Sequence, residues 1–149
     1  MTFSVGYIRP SMYATFEEAL ERAREVEMVP FDLAAGETAI RTGLQRCEGY
    51  YVQAARDELP EALHVTEAFL AEHPRLLVVA SYGAGYDTID VDACTRAGVA
   101  VVNQAGGNAP GVAEHALGMM LVLLKRIPEA DHLTRRGEVG SRAALMGRE

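Results

Sequence analysis

Apolar and polar positions along the 149-residue chain alternate between a period of two and a period near 3.6. Phe3 to Ile8 reads as a strand. Thr15 to Glu27 reads as a helix, with Phe16, Ala19, Leu20, Ala23 and Val26 on one face, Glu17, Glu18, Glu21, Arg22 and Glu25 on the other, and Thr15 with Glu18 as a capping box. Met28 to Asp32 is a second strand, Gly36 to Cys47 a second helix, and Gly49 to Val52 a third strand. Thr66 to His73, closed by Pro74, and Val91 to Ala97, stopped by Gly98, are helical; Leu76 to Ala80 and Val99 to Val102 are strands.

Leu76-Leu77-Val78-Val79-Ala80 and Val99-Ala100-Val101-Val102 are continuous apolar runs, the signature of strands covered on both faces. With strand and helix alternating, the pattern predicts an open, doubly wound α/β sheet, in which ligands sit beyond the carboxyl ends of the strands. Two glycine loops leave strands at that edge: Ser81 to Asp87, and Asn103 to Asn108.

Pro110 to Arg126 differs in kind. Asn108 can cap it, Pro110 suits a first turn, and Lys125 and Arg126 suit the negative end of its dipole. From Ala116 onward, Leu117, Met119, Met120, Leu121, Val122, Leu123 and Leu124 surround the axis, so the helix needs cover from another domain or subunit. Beyond Pro128 the pattern loosens, with a helical stretch from Glu129 to Arg136 and a glycine-punctuated tail that reads either as an approach to further chain or as a frayed end.

Composition narrows the classes of function. Twenty-one acidic against fourteen basic residues give a net charge of -7. With Lys125 the sole lysine and the arginines scattered, nucleic acid and anionic membrane surfaces are poor partners. The apolar run Ala116 to Leu124 is far short of the roughly 20 residues that span a bilayer. Cys47 and Cys94 have no metal or redox spacing and read as packing thiols. With no basic-then-apolar leader at Met1 to Val5, they place the chain in the cytoplasm.

Gly83-Ala84-Gly85-Tyr86-Asp87-Thr88 invites comparison with the dinucleotide fingerprint and fails it twice. Thr88 replaces the third glycine, and the next strand ends in Asn103 rather than an acidic residue. Two readings stand: a nest in which positive-φ glycines aim amides at a small anion such as a carboxylate, or a tight turn with no ligand. Asn108 likewise reads as a ligand-facing amide or as a helix cap. Tyr82 and Tyr86 flank the loop, Tyr86 reading as partly buried in the core. Glu114 and His115 point about 100° apart on a helix and read as surface or interface residues. His64, His73 and His132 show no metal-ligand spacing, and no metal is expected.

Three linked segments carry a resemblance: Gly83 to Asp90, Ala97 to Asn103, and Asn108 to Leu117 resemble, in order and spacing, the D-isomer-specific 2-hydroxyacid dehydrogenases. The resemblance is weak before Pro74 and strong from Leu76 to about Arg136. It implies a flavodoxin-like doubly wound parallel sheet of about five strands in a substrate domain over residues 1–103, with residues 104–149 an interdomain and dimerisation region. It also implies hydride transfer between NAD or NADP and C2 of a 2-hydroxy or 2-oxo acid. The substrate carboxylate would rest on amides of Ala84 and Gly85 with Tyr82 and Gly83 alongside, and Asn108 would reach substrate or nicotinamide. Val112 would lie near the nicotinamide, and a homodimer would form through helix 110–126. The family's GxGxxG loop, cofactor-binding acid, catalytic arginine and histidine–glutamate pair have no match here. No catalytic residue is therefore expected in this chain, and the chain alone is expected to be inactive. Gln53 stands where many members carry an arginine. A signalling receiver would want acids where Arg9 and Gln53 stand; a non-enzymatic ligand-binding or dimerisation module remains the alternative.

Overall fold

The computed structural model describes residues 2–9, 18, 19, 22, 25–138 and 140–147. Five strands form one parallel sheet in the order β2-β1-β3-β4-β5: β1 (Phe3–Arg9), β2 (Val26–Asp32), β3 (Gly49–Val52), β4 (Val78–Ser81) and β5 (Ala100–Val102). This is the flavodoxin-like order, whose reversal lies between β1 and β3. Pro30, opposite Tyr7, is tolerated because β2 is an edge strand.

Helix α1 (Glu37–Leu44) supplies Ile40 and Leu44 to the core, and α2 (Glu67–Glu72) supplies Phe69 and Leu70. Helix α3 (Val91–Ala97) supplies Ala93 and Cys94. These meet Ile8, Tyr50, Val52 and Val79 from the sheet. Gly6 lets α1 approach, since a Cβ there would collide with Leu44. Local signals end the helices where they should: Thr66 accepts from the Phe69 N–H, Asp90 from the Ala93 N–H, and Gly98 takes the left-handed conformation that closes α3. One buried polar group ties α1 to α2. His73 Nδ1 faces Phe69 O at 2.6 Å, and its Nε2 faces Arg41 O at 2.9 Å. Burial pushes both cysteine thiols above their usual values.

Several expectations shift. Only Glu18, Ala19 and Arg22 of the first expected helix are described, and they are helical; the Thr15 cap lies outside the described residues. Val26 and Glu27 belong to β2 instead, because pairing with Phe3 and Ser4 of β1 satisfies their backbone groups. Helix α1 ends at Leu44 rather than Cys47. The double cover expected of β4 and β5 is only partial. Val79 is buried, whereas on the opposite face Val78 and Ala80 are half-buried and the register-matched Ala100 and Val102 exposed. Strand β5 is an edge of the sheet.

The chain divides into two compact units, 1–107 and 108–149. The second holds α4 (Ala109–Leu124) and α5 (Ile127–Arg135). The expected run to Arg126 is broken because Arg126 takes a left-handed φ of 53° and pairs with Glu129 of α5 at 2.7 Å. Helix α4 is apolar around its axis with no residue buried, and Leu123 is 75% exposed. No helix is long and apolar enough to cross a membrane among the described residues.

Candidate functional site

The loop after β4 is fastened on three sides. Toward β3, Tyr82 N–H donates to Val52 O and Asp87 N–H to Ala54 O. The buried Thr88 hydroxyl donates to Gln53 O. Arg56 Nε donates to Asp87 O at 3.0 Å. Toward β1, the Tyr82 hydroxyl reaches across β3 to Ile8 O at 3.1 Å, which lays this side chain over the point where strand order reverses. Its ring lies 3.9 Å from that of Tyr51, and burial holds the Tyr51 phenol above its usual pKa, opposed by a hydrogen bond from Gln104. Tyr51 and Tyr82 thus form a fixed aromatic wall.

Toward β5, Gln104 donates twice, its N–H to Gly83 O at 2.9 Å and its Nε2 to Tyr51 Oη at 3.1 Å. Asn103 Nδ2 donates to Ala84 O at 2.8 Å. Ser81 closes the loop from within, its buried hydroxyl donating to Gly85 O and accepting from Gly83 N–H. Carbonyls 83, 84 and 85 are therefore all engaged. The N–H groups of Ala84, Gly85 and Tyr86 have no partner among the described residues. Three adjacent unpaired donors beside a half-buried wall can receive the oxygens of a small anion.

The loop reaches this arrangement by a different route from the one expected of it. Neither Gly83 nor Gly85 has positive φ; among the described glycines only Gly36, Gly98, Gly106 and Gly137 do. The carbonyl fastenings, rather than left-handed glycines, orient the amides. Tyr86, expected to be partly buried, is 49% exposed because its neighbours Gly85 and Asp87 carry the loop outward.

The structure brings Tyr82, Gly83, Ala84 and Gly85 together in the first unit, while Asn108 and Val112 stand at the start of α4 in the second. Asn108 occupies the cap position without a side-chain capping bond, and Val112 is exposed. Glu114 and His115 are adjacent and exposed. His64 Nε2 sits 3.1 Å from Leu59 O, and no group of three potential metal ligands occurs among the described residues. Sequence reasoning missed the roles of Ser81, Asn103 and Gln104. The available signal was polar side chains at the end of β4, Ser81, and just past the neighbouring β5, Asn103 and Gln104. Gln53 also gains weight: its Oε1 is buried and unpartnered among the described residues.

Fold and site together define an open α/β sheet with a donor-rich loop beyond its carboxyl edge. The chain belongs to the family described as D-isomer specific 2-hydroxyacid dehydrogenase, catalytic domain, whose model matches residues 5–145. It is 39% identical over 94 residues to a D-3-phosphoglycerate dehydrogenase of Synechocystis, covering 62% of this chain and 17% of that protein. Its fold is similar to the D-lactate dehydrogenase of Aquifex aeolicus complexed with NAD and lactic acid (TM-score 0.74, 22% identity, 97% of this chain and 41% of that one). It is also similar to an NADPH-dependent glyoxylate/hydroxypyruvate reductase of Sinorhizobium meliloti in complex with NADP and malonate (TM-score 0.68, 23% identity, 93% and 39%). The chain thus spans less than half the length of each of these relatives.

Proposed function

We propose that this chain is the substrate-recognition part of an oxidoreductase that moves a hydride between NAD or NADP and C2 of a 2-hydroxy or 2-oxo acid. The observation that carries the reading is the row of amides at Ala84, Gly85 and Tyr86 that have no partner among the described residues, in a loop carrying the Tyr51–Tyr82 wall, in a member of this family. A substrate carboxylate would accept from these amides, and the wall would exclude water from one side of it. Charge-assisted bonds of this kind are stronger than neutral ones.

The residues present do not fit the diphosphate of a dinucleotide. Thr88, where the third glycine would stand, is buried and bonded to Gln53 O, and α3 begins only after Asp90, so no long helix opens on the loop. No step through the cofactor is derived from this chain. Asn108 and Val112 are the positions that would meet a nicotinamide. Proton transfer also belongs elsewhere in the reading, since the imidazoles of His64 and His73 in the first unit face backbone carbonyls. Acid–base assistance is worth about 10²–10⁴-fold, so the chain alone would turn over slowly or not at all. Residues 1–103 would form the substrate domain and 104–149 the link toward the cofactor domain. The apolar, uncovered α4 supports a homodimer through helix 110–126, and the two free buried thiols suit the cytoplasm.

NADH and NADPH oxidation with glyoxylate, hydroxypyruvate and pyruvate tests the reading on this chain and on the chain joined to a relative's GxGxxG domain. Turnover by the joined protein only is the expected result. Full turnover by the 149-residue chain would place the chemistry here.

A further inference from the structure

We propose that Asn103 is a positioning residue that aims the amides of the substrate loop, an inference that rests on the carboxylate-binding reading above. In a planar trans peptide the C=O of one residue and the N–H of the next point in opposite directions. Asn103 Nδ2 holds Ala84 O at 2.8 Å, so the Gly85 N–H of the same peptide is turned away from β5. The partner here is a carbonyl, which only the amide nitrogen of Asn103 can serve. Gln104 N–H does the same for the Gly83–Ala84 peptide, and the Ser81 hydroxyl for Gly85–Tyr86.

Of these three fastenings, the one at Ala84 is the most exposed to failure. The Gly83 carbonyl is held by backbone, and Ser81 is buried, whereas Asn103 is an exposed side chain. The peptide it holds ends in Gly85, which has no Cβ and can take the positive φ that a flip would demand. A flipped Ala84–Gly85 peptide would present a carbonyl oxygen where a carboxylate oxygen is to sit, replacing attraction with repulsion. Asn103 thus selects between two orientations of one peptide, one that receives an anion and one that rejects it. Because the side chain is exposed, its loss leaves the core intact, and positioning can be separated from folding.

The test is a titration of the ¹⁵N-labelled 149-residue chain with oxalate, following the amide resonances of Ala84, Gly85 and Tyr86, for the wild type, Asn103→Asp and Asn103→Leu. The expected result is saturable shifts in the wild type and affinities at least about tenfold weaker in both variants, the range of one charge-assisted hydrogen bond. The melting temperature and the resonances of the core are expected to stay unchanged. Leucine adds no charge, so wild-type affinity in Asn103→Leu, even beside a weakened Asn103→Asp, overturns the proposal. A loss of binding that tracks a matching loss of stability in both variants also overturns it, by making Asn103 structural. No shift at these amides in the wild type would instead remove the carboxylate reading itself, and the proposal with it.

Discussion

The clearest perturbation is one substitution made at two glycines. Gly98 closes α3 at φ 72°, ψ 23°, and a Cβ there meets nothing within 4 Å, so Gly98→Ala isolates the cost of left-handed backbone for an L residue. That cost is about 1–2 kcal/mol. At Gly85 φ lies outside the left-handed region and a Cβ would make only an ordinary contact, 3.8 Å from that of Ala54. Gly85→Ala should therefore stabilise by about 0.4–1 kcal/mol, through the lower entropy of the unfolded chain. The two variants should differ by roughly 1.5–3 kcal/mol, which for a chain of this size separates their melting temperatures by roughly 3–12 °C. Thermal unfolding followed by circular dichroism reads the difference, with wild type between the variants. If Gly85→Ala falls as far as Gly98→Ala, the loop depends on glycine conformation and the account of its orientation by carbonyl fastenings is wrong. If the order holds, the backbone does not demand glycine at 85, and its small size is left to serve the close approach of a ligand.

Three further outcomes follow from other parts of the molecule. Gln53→Leu should raise stability by about 1–3 kcal/mol in chemical denaturation, because it removes a buried acceptor without a partner among the described residues; a destabilised variant would show that Oε1 is satisfied. Glu48 is held at about 2 by the Ser4 hydroxyl, Arg75 and the Ser4 N–H. A carboxyl depressed on folding contributes above its unfolded pKa, near 4.5, and loses that contribution as pH falls toward 2. Ser4→Ala should therefore be less stable than wild type in urea at pH 7, and the two should converge near pH 2; a gap independent of pH would refute the linkage. Sedimentation should show concentration-dependent self-association, and Leu117→Glu with Leu123→Glu should abolish it without altering the melting of the first unit; a wild type monomeric at high concentration would remove the dimer.

Local signals carried much of the fold. Thr66, Asp90 and Gly98 act within four residues of themselves and bound the two helices expected near 66–73 and 91–97, although only Gly98 was expected in that role. The Val26–Glu27 boundary was illegible because pairing with Phe3 and Ser4 overrode a continuing amphipathic period. Strand order, too, is set by contacts between distant segments. At the site, composition pointed to the loop after β4, but for the wrong reason at Gly83 and Gly85, since glycine frequency does not report φ. The roles of Asn103 and Gln104 were illegible because their partners, Ala84, Gly83 and Tyr51, lie 19 or more positions away.

The same geometry limits what this loop can do. The three amides without a partner among the described residues lie on half-buried Ala84 and exposed Gly85 and Tyr86, where water can satisfy them at little cost. Each bond to a carboxylate then contributes roughly 1.5–3 kcal/mol net. Immobilising a free small acid costs an estimated 4–15 kcal/mol, a range that overlaps the combined gain from three such bonds. The loop acting alone should therefore hold a simple carboxylate no more tightly than about millimolar. Its value lies in direction rather than strength. Carbonyls fixed by Asn103, Gln104 and Ser81 hold the peptides of the loop in one orientation, so on the reading proposed above an acid that binds would meet amides already set. Affinity beyond that range has to come from groups meeting the rest of the acid, and a carboxylate held this way leaves C2 as the atom those groups would address.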